Sequence, residues 1–136
     1  MLYLTRRFAF SAAHRLNSPA LDAAGNACVY GLCENIHGHN YRLEVTVTGE
    51  RDPKTGFFCN VLDLAEIVKQ RVVDPCEHRL LNDLPLFQGV ITTMENIADR
   101  IFAAIEPALA ERGMTLVEVL VAETDEHWVR LRRDER

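Results

Sequence analysis

Two histidines one residue apart, His37 and His39, open a run in which Tyr41, Leu43, Val45 and Val47 recur at every second position. In an extended strand side chains repeat with period two, so both imidazoles share the face of those apolar residues. Imidazole is poor filler for an apolar core and a good ligand for zinc. A third histidine, His14, ends the segment Phe8-Ala9-Phe10-Ser11-Ala12-Ala13-His14 in phase with Phe8, Phe10 and Ala12. Three imidazoles from two neighbouring strands leave a tetrahedral ion one open position, the pattern of catalytic rather than structural zinc. Ligand type alone leaves iron and copper open. The spacing predicts a metal enzyme with His14, His37 and His39 as ligands and zinc as the metal.

Other residues could act beside such an ion. Cys33 lies four positions before His37. It reads as a fourth ligand closing the site, as a small buried filler, or as a nucleophile or base, because a nearby divalent cation acidifies a thiol. Glu77-His78 is an adjacent carboxylate and imidazole that could relay a proton, although a polar cluster at a helix end is the plainer interpretation. Glu123 continues the period of Val117, Val119 and Val121, which aims its carboxylate at the core. A carboxylate there is costly unless it is paired or kept for a ligand.

The elements that must carry these residues follow from periodicity. Residues 2–13 alternate as a strand, with Leu2, Leu4, Phe8, Phe10 and Ala12 inward and Thr5, Arg7 and Ser11 outward. Residues 17–36 show little periodicity and predict a long functional loop. Residues 39–50 form the second strand, and Asp52-Pro53-Lys54-Thr55-Gly56 is a turn. Leu64, Ile67, Val68 and Val72 mark one helix ending near Asp74-Pro75, and Thr92-x-x-Glu95 reads as a capping box before a second with Ile97, Ala98, Ile101, Phe102 and Ile105. Strands over 115–124 and 128–133 complete the order ββααββ. That order predicts an α+β fold, an antiparallel sheet with two helices on one face. Its two open edges invite pairing with other subunits.

Composition narrows the class. The chain has 136 residues, 48% apolar and 26% charged, which suits one globular domain over residues 1–136. A formal charge of −5 gives no support for a nucleic-acid partner. Arg130, Arg132 and Arg133 read as a solvated tail. No apolar run reaches the ~20 residues of a membrane span and no signal peptide is visible, so the expected location is the cytoplasm. The four cysteines lack CxxC spacing; they are expected as free thiols, with Cys28, Cys59 and Cys76 as apolar fillers.

Several motifs occur in order across nearly the whole chain: Phe10-Ser11-Ala12-Ala13-His14-Arg15-Leu16, Cys33-x-x-x-His37-Gly38-His39-Asn40-Tyr41, Asp52-Pro53-x-Thr55-Gly56, Glu77-His78-Arg79-x-Leu81-Asn82, Thr93-x-Glu95-Asn96 and Glu123-Thr124. Together they resemble the 6-pyruvoyltetrahydropterin synthase / 6-carboxytetrahydropterin synthase family. The resemblance implies the tunnelling fold, in which three subunits join their four-stranded sheets into an oligomeric barrel. Two trimers then stack as a homohexamer with active sites at subunit interfaces. It implies His14, His37 and His39 as Zn2+ ligands, Cys33 as the catalytic thiol, and His78 as the histidine of an Asp-His pair whose acid is Glu77 in this chain. It also implies Glu123 as the pterin anchor, with Thr93 and Thr124 near the pterin. The substrate it implies is a small-molecule pterin triphosphate, 7,8-dihydroneopterin triphosphate.

The Cys33–His37 spacing matches the carboxytetrahydropterin branch, which belongs to queuosine-precursor synthesis. The run Thr55–Leu64 is closer to the pyruvoyl branch. Glu34, beside Cys33, matches a region where some members place the working base. Arg15, Arg42 and Arg79 are triphosphate candidates by position. Two rivals stand beside the lyase. A cupin-type metal enzyme would use Glu44 with His37 and His39, but Glu44 falls out of phase with both. A silent pterin-binding homologue would have to retain Cys33, all three histidines and Glu123 without using them.

Overall fold

The structure is a computed structural model and describes residues 1–135. Four strands, β1 (Tyr3–His14), β2 (His37–Thr48), β3 (Thr115–Ala122) and β4 (Trp128–Arg132), form one antiparallel sheet in the order β1-β2-β3-β4. The β1–β2 register pairs Phe8 with Leu43, Phe10 with Tyr41, Ala12 with His39 and His14 with His37. Directly paired residues project to the same side of a sheet, so the alternation read from each strand becomes one continuous inner face. Phe8, Phe10, Ala12 and His14 of β1 and Tyr41, Leu43, Val45 and Val47 of β2 are all buried on it. Leu2, expected with them, lies outside β1 and is exposed.

The inner face is covered by helices. The side chain of Asn60 caps α2 (Val61–Val68) by accepting from the Leu62 N–H. The helical path then continues as a π-helical segment, Lys69–Val73, and a short turn, α3 (Asp74–Cys76). It therefore passes through Asp74-Pro75 instead of ending there. The change of hydrogen-bond register precedes Pro75, which falls in the first turn of α3 and needs no N–H donor. The long helix α4 (Met94–Glu111) buries Ile97, Ala98, Ile101, Phe102 and Ile105 as its period predicts. These residues, those of α2 and the inner strand face form one hydrophobic cluster.

Five further expectations change. Residues 17–36 are not all loop: α1 (Ala23–Tyr30) starts at an Asp22 cap, and Gly31–Glu34 forms a 3-10 turn. Asn26 is the buried residue of α1, bonded to Ser18, Leu21 and Asp22, so no apolar stripe betrays the helix. The cap of α4 is Thr93, whose Oγ1 accepts from the Asn96 N–H at 3.3 Å, while Thr92 is fully buried. In β3, the step Thr46–Val47 on β2 faces Glu118 and Leu116, which leaves Val117 as the extra residue of a bulge. Leu116 is buried in its place, and the period resumes at Val119 and Val121 toward Glu123. Finally, Cys28 is exposed, and the terminal arginines are engaged: Arg130 and Arg132 with Glu118, Arg133 with Glu106.

Candidate metal centre

The register that pairs His14 with His37 and Ala12 with His39 gathers three imidazoles at one end of the sheet. Their ring centroids lie 4.6, 5.0 and 5.1 Å apart. One ligand nitrogen from each lies within 4.8 Å of the other two, and among the described residues this is the group suited to hold an ion. Cys33 is outside that group, so the trio is not closed by its thiol.

The rings are held in ligand-ready form. The Nδ1–H of His14 donates to the Thr92 carbonyl at 2.8 Å, and that of His37 to the Asn35 carbonyl at 2.7 Å. Occupying Nδ1 in this way places the lone pair on Nε2, as in most metal-bound histidines. Burial, more than the opposing Thr92 hydrogen bond, lowers the pKa of His14 to about 4. Burial likewise lowers that of His39, against the pull of Glu123. The Nε2 atoms of His14 and His39 are buried without a hydrogen-bond partner among the described residues. Neutral imidazoles presenting unsatisfied lone pairs fit a divalent ion such as zinc.

Glu123 follows β3 and closes one side of this cluster. Its carboxylate oxygens stand 3.6 Å from His14 Nε2 and 3.8 Å from His39 Nε2, too far for direct hydrogen bonds. The group is 15% exposed, open enough for a ligand to reach. Beneath it, the ring of Tyr41 stands edge-on to His14 and His39, with a buried, unpartnered hydroxyl whose pKa burial pushes up.

Cys33 and Glu77-His78 lie outside the histidine cluster but are tied to the same strand end. The Cys33 carbonyl accepts from Leu16 N–H at 2.8 Å, and Arg15 faces Glu34 at 3.8 Å, which seats the 3-10 turn beside the end of β1 with its thiol exposed. On the outer edge of β1, His78 N–H donates to Ser11 carbonyl at 2.7 Å and Ala13 N–H to Arg79 carbonyl at 2.9 Å. Glu77 Oε1 accepts from Ser11 N–H and lies 3.1 Å from His78 Nε2. His78 takes a positive φ of 56° and its imidazole is 82% exposed. A left-handed backbone at a non-glycine residue is uncommon and is held by these flanking bonds. A cleft of about 490 Å³ has Ser11, His39, Asn40, His78 and Arg79 on its walls, so His78 and a histidine of the cluster border one space.

Thr93 serves as the α4 cap, and Thr124 lies in the β3–β4 turn, where its Oγ1 accepts from Glu126 N–H at 3.2 Å. Two site residues escaped the sequence. Thr92 supplies the carbonyl that orients His14, and no sequence signal marks which carbonyl a histidine will find. His127 lies 3.9 Å from Glu123, and its only trace was the spacing of four within a turn.

Comparison with known proteins agrees with this geometry. Residues 3–134 match the family described as 6-pyruvoyl tetrahydropterin synthase. The chain is 42% identical over 127 residues to the 6-pyruvoyl tetrahydrobiopterin synthase of Dictyostelium discoideum, covering 93% of this chain and 92% of that protein. It is 36% identical over 116 residues to a putative 6-carboxy-5,6,7,8-tetrahydropterin synthase of Archaeoglobus fulgidus, covering 85% and 92%. The structure of the Caenorhabditis elegans 6-pyruvoyl tetrahydropterin synthase superposes with a TM-score of 0.83 at 30% identity, covering 96% of this chain and 94% of that one. The chain belongs to the 6-pyruvoyl tetrahydropterin synthase family and is a lyase of the pterin-synthase type.

Proposed function

We propose that the protein is a zinc-dependent lyase that converts 7,8-dihydroneopterin triphosphate and water to 6-carboxy-5,6,7,8-tetrahydropterin, acetaldehyde and triphosphate. The observation that carries the proposal is the trio of His14, His37 and His39, with two Nδ1 positions occupied by carbonyls and buried Nε2 atoms left over. Those three residues would hold zinc, which when bound supplies a Lewis acid to the hydroxyls of the substrate side chain.

The chain's own groups then divide the work. Cys33, as thiolate, takes a proton from the side-chain carbon, and the C–O bond to triphosphate breaks with its electron pair leaving on the triphosphate. Glu77 and His78 return and remove protons along the side chain, from a pair already 3.1 Å apart. Glu123 accepts hydrogen bonds from pterin amino and ring N–H groups, which a carboxylate can do with both oxygens. Thr93 and Thr124 border the pterin. Of the arginines, Arg42 is engaged by Glu44 and Asp125 and Arg15 faces Glu34, whereas Arg79 lines the cleft with His78 and is the favoured triphosphate contact. The exposure of Cys33 and His78 supports an active site completed between copies, in the homohexamer that the family resemblance implies.

The short Cys33–His37 spacing supports the carboxy product. A second reading, the 6-pyruvoyl product with the side chain intact, is favoured by the name and 42% identity of the Dictyostelium relative. The cupin alternative gains nothing, since Glu44 pairs with Arg7 and Arg42. Mass spectrometry of the zinc-loaded protein with 7,8-dihydroneopterin triphosphate tests all of this. Acetaldehyde with 6-carboxytetrahydropterin is the expected result. 6-Pyruvoyltetrahydropterin alone selects the second reading, and absence of any product overturns both. Glu123→Ala should weaken pterin binding while zinc and fold persist; a misfolded product would make Glu123 a structural group instead.

As for location, among the described residues no helix is long and apolar enough to cross a membrane.

A further inference from the structure

His127 has no part in the chemistry above, yet its imidazole is placed against a group that does. The β3–β4 register pairs Ala122 with Trp128, so Glu123 and His127 face each other across the neck of the connecting loop. His127 Nε2 is 3.9 Å from Glu123 Oε2, the oxygen that also stands 3.8 Å from His39 Nε2, while Oε1 is turned to His14. The loop is held from outside as well: Arg42 reaches Asp125 at 3.7 Å and lies over the Trp128 ring.

The hydrogen bonds offer His127 the tautomer that suits Glu123. Thr124 Oγ1 accepts from Glu126 N–H at 3.2 Å and lies 3.3 Å from His127 Nδ1. A hydroxyl that already accepts has its own proton free to donate. Donation to Nδ1 leaves that nitrogen unprotonated and puts the ring proton on Nε2, the atom that faces Glu123. An ionised carboxylate is acceptor-only, so the donor and acceptor match and a small rotation of an exposed ring closes the bond.

We infer that His127, oriented by Thr124, is a positioning residue for Glu123: it holds Oε2, the oxygen beside His39, and so fixes how the carboxylate is presented to the metal centre and its ligand. The inference rests on the proposed role of Glu123 in binding substrate. Without that anchor, the orientation of the carboxylate rests on its contacts to His14 and His39 alone. Binding would then carry the cost of ordering it, in ground state and transition state alike.

The test has two arms. In the first, ring-nitrogen NMR of the zinc-free and zinc-loaded chain at pH 8 should show His127 protonated at Nε2. Thr124→Val should mix the two tautomers. Protonation at Nδ1 in the wild type, or no change in Thr124→Val, overturns the inference whatever the substrate proves to be. In the second, His127→Ala should raise KM about tenfold with kcat little changed, as expected for one lost hydrogen bond to a charged group. His127→Gln, whose amide nitrogen reaches the same region, should recover most of that loss, and zinc content should stay full in both. An unchanged KM, a glutamine variant as weak as alanine, or zinc lost in step with activity overturns it. If the wild type turns over no dihydroneopterin triphosphate, the proposed function fails while the NMR arm still decides the role of His127.

Discussion

Two groups of candidate residues meet at the end of β1 and are built in opposite ways. The histidine cluster is packed side chain around a buried member: His14 is 1% exposed, its Nδ1 is spent on Thr92, and its neighbours are rings. The Glu77-His78 ledge is fixed by backbone, through Ser11 and Ala13, while its imidazole faces outward. Cys33 follows the second pattern, with a pinned carbonyl and an exposed thiol. The contrast teaches that one chain by itself brings together the three imidazoles that could hold an ion. The groups proposed for proton transfer are positioned but not enclosed, which leaves substrate or a second copy to supply their surroundings in the proposed mechanism.

The sharpest way to break this contrast is to remove one imidazole of the trio. His39→Ala should lose zinc by more than the ~100-fold typical of losing an outer-shell partner, with circular dichroism showing the sheet intact. Full zinc content in that variant would place the metal elsewhere. Cys33→Ala and His78→Ala should each keep zinc and lower turnover by at least about 100-fold, the scale of acid–base assistance. Mixing and reassembling those two inactive variants should restore activity if each site draws on two chains. Failure to complement would mean that each chain's site is complete.

Titration separates the regions more gently. The folded-state pKa of His14 is about 4 against an ordinary 6.5, so the neutral ring belongs to the folded form. Its contribution is fully present above about pH 6.5, is lost as the pH falls toward 4, and levels off below. Over that window the zinc-free protein should lose about 3 kcal/mol of unfolding free energy. Urea titrations at pH 7, 5.5 and 4.5 measure it, and a flat profile would mean that His14 is solvated. The smallest effect is expected at Thr92→Val, which removes a hydroxyl bond to the Arg15 carbonyl while keeping the carbonyl that holds His14. Asn82 still serves Arg15, so the loss should be about 1 kcal/mol or less, read as a melting shift of a few degrees. Loss of zinc in this variant would show that the hydroxyl, and not only the carbonyl, orients the site.

How far the sequence could be read depended on whether a residue's role was periodic. The strand faces and the helix stripes of Leu64–Val72 and Ile97–Ile105 were legible because burial imposes a period of 2 or 3.6. The same rule brought His14, His37, His39 and Glu123 to one face. It failed at Val117, where a bulge absorbs one residue, and at α1, whose buried contact is the amide of Asn26. The cap at Thr93 was misplaced by one residue, since adjacent threonines look equivalent until one is buried.

By itself, then, the sequence determined which side chains could bind a metal and which face each would take, because alternation along a strand is local geometry. Tertiary structure decided which carbonyls fix the tautomers of His14 and His37, and that Thr92 is one of their sources. It also decided that Glu123 meets His127 across a loop neck and that His78 sits on the outer edge of β1. Those relations join residues far apart in the chain or turned by a single loop, and only the pairing of strands and the closing of turns sets their distances.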